Sequence, residues 1–212
     1  QQLSVRDIKY ILAKTAKRVD PAFAGVSATY IIPGSTIVLE QAWVTNAGGY
    51  TFSNWYGFGG VDAAAAVAMA KSYTAFLTPL KDSVGDYSFL AAPPAGIPRL
   101  NLTGGFFEFV VSESFNTVEF VVLFINIAST PAGLVCNQVE LKSPSGTKSI
   151  LMHAANGFTN ASVVNSRFES NAFYGEPVNG TWRVSFFDFC PVGYAATQLS
   201  TTLSQILGFS GH

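Results

Sequence analysis

The spacing of hydrophobic positions changes near the middle of the chain. Over residues 4–16, apolar side chains recur at helical spacing, which predicts an amphipathic helix with Ser4 as its N-cap. The predicted apolar face consists of Val5, Ile8, Ile11, Leu12 and Thr15. The charged residues Arg6, Lys9 and Lys14 fall on the other face, so the apolar face is expected to pack against another layer.

The rest of the first 80 residues reads as a small α/β unit. A β-branched run at 36–46, turn residues at 46–49 and the aromatic stretch that follows predict a short hairpin. The alanine-rich run 63–76 comes directly after Asp62, which predicts a second helix capped by that aspartate.

Short strands replace helices in the second half. Proline and glycine interrupt every pattern over residues 81–99, so this stretch is predicted to be a linker. Six strands are predicted beyond it: 106–111, 117–127, 136–142, 149–153, 180–187 and 200–209. Their number and turn residues predict a mainly β fold for residues 100–212, a jelly-roll β-sandwich.

Composition and charge exclude some classes of function. Twelve Lys and Arg against 13 Asp and Glu give a formal charge of −1, with no basic stripe to neutralise a phosphate backbone, so nucleic acid is a poor partner. No apolar run is long enough to span a bilayer. The chain begins without Met or a signal peptide, so a fragment or processed product is expected.

The two cysteines have two interpretations. Cys136 and Cys190 do not form a CxxC pair, so they are either one disulfide or two buried free thiols. If the strands 136–142 and 180–187 are antiparallel neighbours, the two cysteines lie at the same end of the pair. That pairing favours the disulfide, which requires an oxidising compartment.

Motifs in both halves resemble the kexin/furin branch of the subtilisin-like serine proteases. The run LSVRDIK at 3–9, YGFG at 56–59 and VDA at 61–63 resemble the end of the catalytic domain. In the second half, SPSGT, YGE and GTW resemble the P domain that follows it. The motif residues of that half are Ser143, Pro144, Gly146, Thr147, Gly175, Glu176, Gly180, Thr181 and Trp182.

The resemblance implies a domain order. Residues 1–80 would be the C-terminal segment of the catalytic domain, 81–99 the linker and 100–212 the P domain. The stretch 20–40 is longer than the family usually has between its two helices, and residues around Cys136 stand where the family often carries Arg-Gly-Asp-Leu.

The chemistry of such a protease needs a serine, a histidine and an orienting carboxylate. No Gly-Thr-Ser motif occurs here, and neither His153 nor His212 has a catalytic setting, so no catalytic or cofactor-binding residue is predicted. Asn46 and Asn54 could be oxyanion donors, but a role in turns is favoured. The nucleophile is expected upstream of Gln1.

No residue of this chain is predicted to be a metal ligand. The resemblance implies calcium in the parent protease, and Asp62, Asp82 or Asp86 could contribute to a site. No Asp-x-Asp-x-Asp-Gly loop supports one in this chain.

Two functions remain at this point. The first is a non-catalytic C-terminal fragment of a serine endopeptidase, whose P domain stabilises the catalytic domain of the same protein. That endopeptidase is expected to be secreted or extracellular, with the periplasm or the cell surface as alternatives. The second is an independent sandwich that binds carbohydrate or protein. Exposure of the apolar face of the first helix would favour the first function, since soluble domains seldom leave such a face open.

Overall fold

The computed structural model describes residues 2–29, 31–83, 87–89, 96–129, 133–160, 162–191, 195–200 and 202–212. Strands outnumber helices throughout these ranges, which confirms the mainly β class. None of the helices described there has the length and apolar character needed to cross a membrane.

Both predicted helices are present. Helix α1 (Val5–Thr15) opens with a capping box, in which Ser4 accepts from the backbone of Asp7 and the Asp7 carboxylate accepts from the backbone of Ser4. Helix α2 (Ala63–Ser72) is capped by Asp62, whose Oδ1 accepts from the backbone of Ala65 at 3.0 Å. It ends at Ser72 rather than at residue 76.

The strands of the first 80 residues form two small antiparallel hairpins. One joins β1 (Val26–Ala28) to β2 (Ile37–Glu40), and the other joins β3 (Val44–Thr45) to β4 (Thr51–Phe52). The second is the hairpin predicted around the turn at 46–49. The first lies within the stretch 20–40.

The remaining strands build two larger antiparallel sheets. They are β5 (Lys81–Asp82), β6 (Tyr87–Phe89), β7 (Gly105–Val111), β8 (Val118–Ser129), β9 (Asn137–Lys142), β10 (Lys148–Met152), β11 (Val163–Ser170), β12 (Gly180–Asp188), β13 (Gln198–Leu199) and β14 (Gln205–Gly211). One sheet has the order β10-β9-β12-β7. The other has the order β11-β8-β14-β5, with β13 paired to β8 and β6 to β14.

The main core lies between these two sheets. Trp182 and Leu141 from the four-stranded sheet and Leu123, Leu207 and Phe209 from the six-stranded sheet are fully buried in one cluster. The arrangement is a β-sandwich, as apolar positions alternating along facing strands require. The jelly-roll connectivity stays a prediction.

Part of the predicted linker 81–99 belongs to the sandwich. Lys81 and Asp82 lie opposite Gly211 and Ser210 of β14, and β6 pairs with the other end of the same strand. The pattern at these positions is too short to show a strand, so pairing with β14 decides their structure. The domain boundaries stay a prediction.

A second, smaller core lies under the hairpin of β1 and β2. Ala28, Ile37 and Leu39 pack there with Phe187 and Phe189, which lie at and just beyond the end of β12. The amino-terminal segment thus covers two aromatic side chains of the sandwich that would otherwise be open to water.

Candidate functional site

An ion pair joins the first helix to the sandwich. Glu119 of β8 is 2% exposed, and the Nε atom of Arg6 lies 3.0 and 3.2 Å from its two carboxylate oxygens. Arg6 Nη2 contacts the same carboxylate, and Nη1 donates to the carbonyl of Thr78 at 2.7 Å. The hydrogen bond with Glu119 raises the pKa of the Arg6 guanidinium despite the opposing effect of burial.

The two histidines have different neighbours. His212 places Nδ1 3.0 Å from the Glu119 carboxylate, at the edge of the ion pair. His153 places its Nδ1 2.7 Å from the carbonyl of Ala154. That neither ring is catalytic stays a prediction.

The charged face of α1, not its apolar face, meets the sandwich. Lys9 lies over the rings of Phe120 and Tyr174 and donates to Asn171 at 2.8 Å. Desolvation lowers the pKa of its ammonium group. The aliphatic stems of Arg6 and Lys9 pack on the sandwich while their charged ends find partners there, so the charged side of α1 is the side that the sandwich covers.

The opposite side of α1 is open instead. Val5 is 84% exposed, Ile8 45% and Leu12 37%, whereas Ile11 is buried. These exposed apolar side chains lie beside Val61, which is 68% exposed. Such a group of exposed aliphatic residues is unusual on the surface of a soluble domain.

Asn46 fastens the β3–β4 turn to the sandwich. Its Nδ2 donates to the carbonyls of Ala172 and Tyr174 at 2.8 and 2.9 Å, and its Oδ1 accepts from the backbone of Tyr50 at 2.9 Å. Asn54 uses its amide to reach Glu40 and a backbone carbonyl. Both asparagines serve turns and packing, in agreement with the favoured sequence interpretation.

Glu176 connects three parts of the chain. It is fully buried, and its Oε1 accepts from the backbone of Ala47 at 2.9 Å and from the hydroxyl of Thr147. Thr147 closes the SPSGT turn, in which the Ser143 amide donates to the Thr147 carbonyl at 2.9 Å. The YGE and SPSGT motifs therefore meet at the β3–β4 turn.

Two glycines allow these motifs to lie so close to each other, because there is no space for a side chain at either glycine. A Cβ on Gly48 would lie 2.6 Å from the carbonyl carbon of Gly175, and a Cβ on Gly180 would lie 2.7 Å from the ring of Pro144. Real Cβ atoms do not approach other atoms so closely. The second contact places the GTW motif against the SPSGT turn.

The aromatic motif residues are packing residues. Phe58 of YGFG and Tyr50 meet Tyr174 edge to face, with centroid distances of 5.6 and 5.0 Å. Burial raises the pKa of the Tyr174 phenol. Trp182 is fully buried, lies edge to face against Phe173 and donates from its indole to the carbonyl of Val178. Trp55, by contrast, is 58% exposed.

The acidic residues considered for calcium have other partners. Asp62 caps α2 and lies 2.6 Å from Lys17, and Asp82 accepts from the hydroxyl of Ser210. Asp86 lies outside the described residues. The two described carboxylates do not converge on a shared position.

The cysteines lie as the strand pairing predicts. Antiparallel pairing of β9 with β12 sets Asn137 opposite Asp188, so Cys136 and Cys190 lie just beyond the same end. The structure joins them in a disulfide with a Cα–Cα distance of 5.0 Å, within the usual range.

Asp7 links α1 to the segment after α2, and its contacts predict a pH dependence. Desolvation opposes its ionisation, but hydrogen bonds from Ser4, Leu77 and Tyr73 hold the pKa of its carboxyl below the usual value. A depressed carboxyl pKa contributes stability above the unfolded value of about 3.9, and this stability is lost as the pH falls through the folded pKa.

Replacing Asp7 with asparagine should therefore lower the melting temperature at pH 7, and the loss should shrink progressively as the pH falls below the unfolded value of about 3.9. Thermal unfolding followed by circular dichroism across this range checks the prediction. The matched variant Ser4→Ala removes one donor but keeps the carboxylate, so its curve should stay pH dependent. Parallel curves for wild type and Asp7→Asn would contradict the assignment.

The sequence did not predict the contact between residues 1–80 and the sandwich, which involves Arg6, Glu119 and Asn46. One signal was available. Glu119 is a single charge inside a long apolar strand, and a charge in such a place requires a partner. The identity of that partner was not available from the sequence, because Arg6 lies 113 residues away.

Comparisons with known sequences match this architecture. The proprotein convertase P-domain family matches residues 118–193. An extracellular serine protease of Aeromonas sobria is 30% identical over 204 residues, covering 88% of this chain and 32% of that protein. Human proprotein convertase subtilisin/kexin type 6 is 30% identical over 196 residues, covering 88% of this chain and 18% of that protein.

Solved structures agree with the sequence comparison. The crystal structure of the serine protease of Aeromonas sobria has a TM-score of 0.84 and 26% identity, covering 99% of this chain and 40% of that one. That protease has also been solved in complex with a chaperone. This chain spans about a third of the length of the Aeromonas relative and about a fifth of the convertase.

These findings define the class of the protein: a mainly β chain that carries a proprotein convertase P domain. Through that domain it is similar to the subtilisin/kexin-like serine proteases, and it matches the C-terminal part of the Aeromonas enzyme. The family resemblance predicted from SPSGT, YGE and GTW is confirmed.

Proposed function

We propose that this chain is the C-terminal part of a secreted serine endopeptidase, in which the P domain stabilises the segment that precedes it. The parent would hydrolyse peptide bonds through an acyl-enzyme, with the nucleophile, base and orienting carboxylate contributed from outside this chain. Secretion is supported by the Aeromonas relative, which is named as extracellular, and by the disulfide.

The observation that carries this proposal is the polar contact between the two halves. Arg6, Asn46 and the Ala47 amide all end on groups of the sandwich that have low exposure. Loss of the sandwich would leave these donors without partners, and loss of the amino-terminal segment would strand the carboxylates of Glu119 and Glu176. Each half therefore depends on the other.

The open side of α1 supports a larger parent. Val5, Ile8 and Leu12 stay exposed to solvent among the described residues, and they line an open groove with Val61 and Glu169. The solved Aeromonas protease has further chain beyond the part matched here. We propose that the remainder of the catalytic domain packs on this side, which also disfavours the independent binding module.

Gly48→Ala in the whole gene product tests the proposed role. The added methyl would strike Gly175, so the contact between the halves should open at a cost of about 1–3 kcal/mol. The half-life of peptide hydrolysis at elevated temperature should fall several-fold. Gly105→Ala is the matched control, because its Cβ would meet only Pro98 at 3.7 Å.

The two parts of the proposal fail separately. A gene product without endopeptidase activity under any condition would refute the parent enzyme. Equal half-lives for Gly48→Ala and Gly105→Ala would refute the stabilising role while leaving the enzyme assignment in place. A Gly-Thr-Ser motif shortly upstream of Gln1 is the corresponding expectation for the gene.

A further inference from the structure

The disulfide lies beside a buried carboxylate that the proposed function does not use. One ligand atom each of Cys136, Cys190 and Asp188 lies within 4.8 Å of the other two. Asp188 is fully buried at the end of β12. Once the disulfide is reduced, two thiolates on strand ends whose Cα atoms lie 5.0 Å apart, together with the adjacent carboxylate, offer the kind of donor set that a tetrahedral zinc ion takes.

We propose that the reduced form of this protein binds a thiophilic divalent ion, such as Zn²⁺, through Cys136, Cys190 and Asp188. The oxidised form holds the same strand ends by the disulfide. The two strand ends would therefore be joined by the disulfide in the oxidised protein and by the metal ion in the reduced protein. This switch does not involve the contact between the two halves.

Hydrogen bonds already hold the carboxylate in place. Oδ1 of Asp188 accepts from the backbone of Cys190 at 3.0 Å, and Oδ2 accepts from the backbone of Thr197 at 2.8 Å. A carboxylate oxygen can accept two partners, so Oδ1 can face an ion while it keeps the hydrogen bond from Cys190. Partners that orient a ligand in this way are typical of metal sites.

The charges of the site also fit a divalent ion. Arg99 lies 3.9 Å from the Asp188 carboxylate and offsets its charge. The two positive charges of the ion would offset the two thiolates, while Arg99 continues to offset Asp188. The loaded site is then neutral as a whole, which burial favours.

A route for the ion exists on the side of Cys136. This residue is half-buried and lines a cavity with Ile31, Leu100 and Phe189. A tetrahedral ion with three protein ligands keeps a fourth position for water, and the cavity side offers room for it.

The chemistry of the exchange balances with a dithiol as reductant. The dithiol supplies two electrons and two protons, the disulfide bond breaks, two thiols form and the reductant becomes a cyclic disulfide. The ion then forms two metal–thiolate bonds and releases two protons to water. The Asp188 carboxylate bonds to the ion without releasing a proton.

Metal titration of the reduced chain tests the proposal. The protein is reduced with a dithiol, which is removed under argon, and is then titrated with Co²⁺ and Zn²⁺. We expect one ion per chain, a near-ultraviolet thiolate-to-Co²⁺ charge-transfer band that Zn²⁺ abolishes, and protection of both thiols from alkylation. The oxidised protein should show none of these.

Two variants separate the ligand set from a thiol pair alone. Asp188→Asn should weaken Zn²⁺ binding by about tenfold or more, whereas Asp82→Asn, whose carboxylate contacts Ser210, should bind as the wild type. Equal affinity of Asp188→Asn and wild type would overturn the three-ligand site. So would absence of the Co²⁺ band in the reduced wild type.

Loss of structure on reduction is also informative. If the reduced, metal-free protein unfolds, Zn²⁺ should restore its far-ultraviolet circular dichroism, because an ion that binds only the folded state drives folding. Failure of Zn²⁺ to restore the signal would overturn the proposal.

Discussion

Replacing Arg6 with alanine should lower the free energy of unfolding by about 3–5 kcal/mol, the usual cost of leaving one member of a buried ion pair alone. Glu119 is 2% exposed, and it would keep the contact with His212 but lose the guanidinium. Chemical denaturation at pH 7 measures the loss directly.

The exposed pair of Arg183 and Glu108 provides the control. Both side chains of this pair are more than 40% exposed, so Arg183→Ala should cost no more than about 1 kcal/mol. Adding Glu119→Gln to Arg6→Ala should recover part of the stability, because no buried charge is then stranded. Equal losses for the two arginine variants would contradict a special role of the buried pair.

Removing both cysteines should have an effect of similar size. Cys136 and Cys190 are 54 residues apart, and the chain-entropy expression gives about 4 kcal/mol for closing such a loop. We expect the double variant Cys136→Ala with Cys190→Ala to unfold at a clearly lower denaturant concentration than the oxidised wild type.

Reduced wild type in the presence of a chelator is the comparison for this variant. It should unfold near the same midpoint as the double alanine variant, because both lack the cross-link and a bound metal. An unchanged midpoint on reduction would contradict the predicted stabilisation.

The sequence predicted the sandwich well where burial is periodic. In β12 the buried residues Trp182, Val184 and Phe186 alternate with more exposed ones, so the pattern alone defines the strand and its inward face. The two helices were found for a similar reason, since Ser4 and Asp62 provide caps that need no distant partner.

Elements that depend on distant partners were not predicted. Strand β11 (Val163–Ser170) contains Asn, Ser, Arg and Glu, and it is a strand because it pairs with β8. The side of α1 that the sandwich covers was left open by the sequence for a related reason. Glu119 and Tyr174 make burial of Arg6 and Lys9 favourable, and neither lies near α1 in the sequence.

The arrangement of the candidate site also depends on residues that are far apart in the sequence. SPSGT, YGE and GTW identified the family, but how they fit together depends on contacts such as Pro144 against Gly180 and Thr147 with Glu176. These contacts are set by tertiary packing. Motif spacing along the chain does not show them.

The distance between Arg6 and Glu119 also has a consequence for synthesis. Glu119 follows Arg6 by 113 residues, which takes on the order of 10 s on a ribosome. Strand β8, which carries Glu119, is itself paired with β14 at the far end of the chain. While the polypeptide is growing, the first helix therefore lacks Glu119 as its ion-pair partner and the rings of Phe120 and Tyr174 as its packing surface. A nascent chain is most open to proteolytic cleavage at that stage.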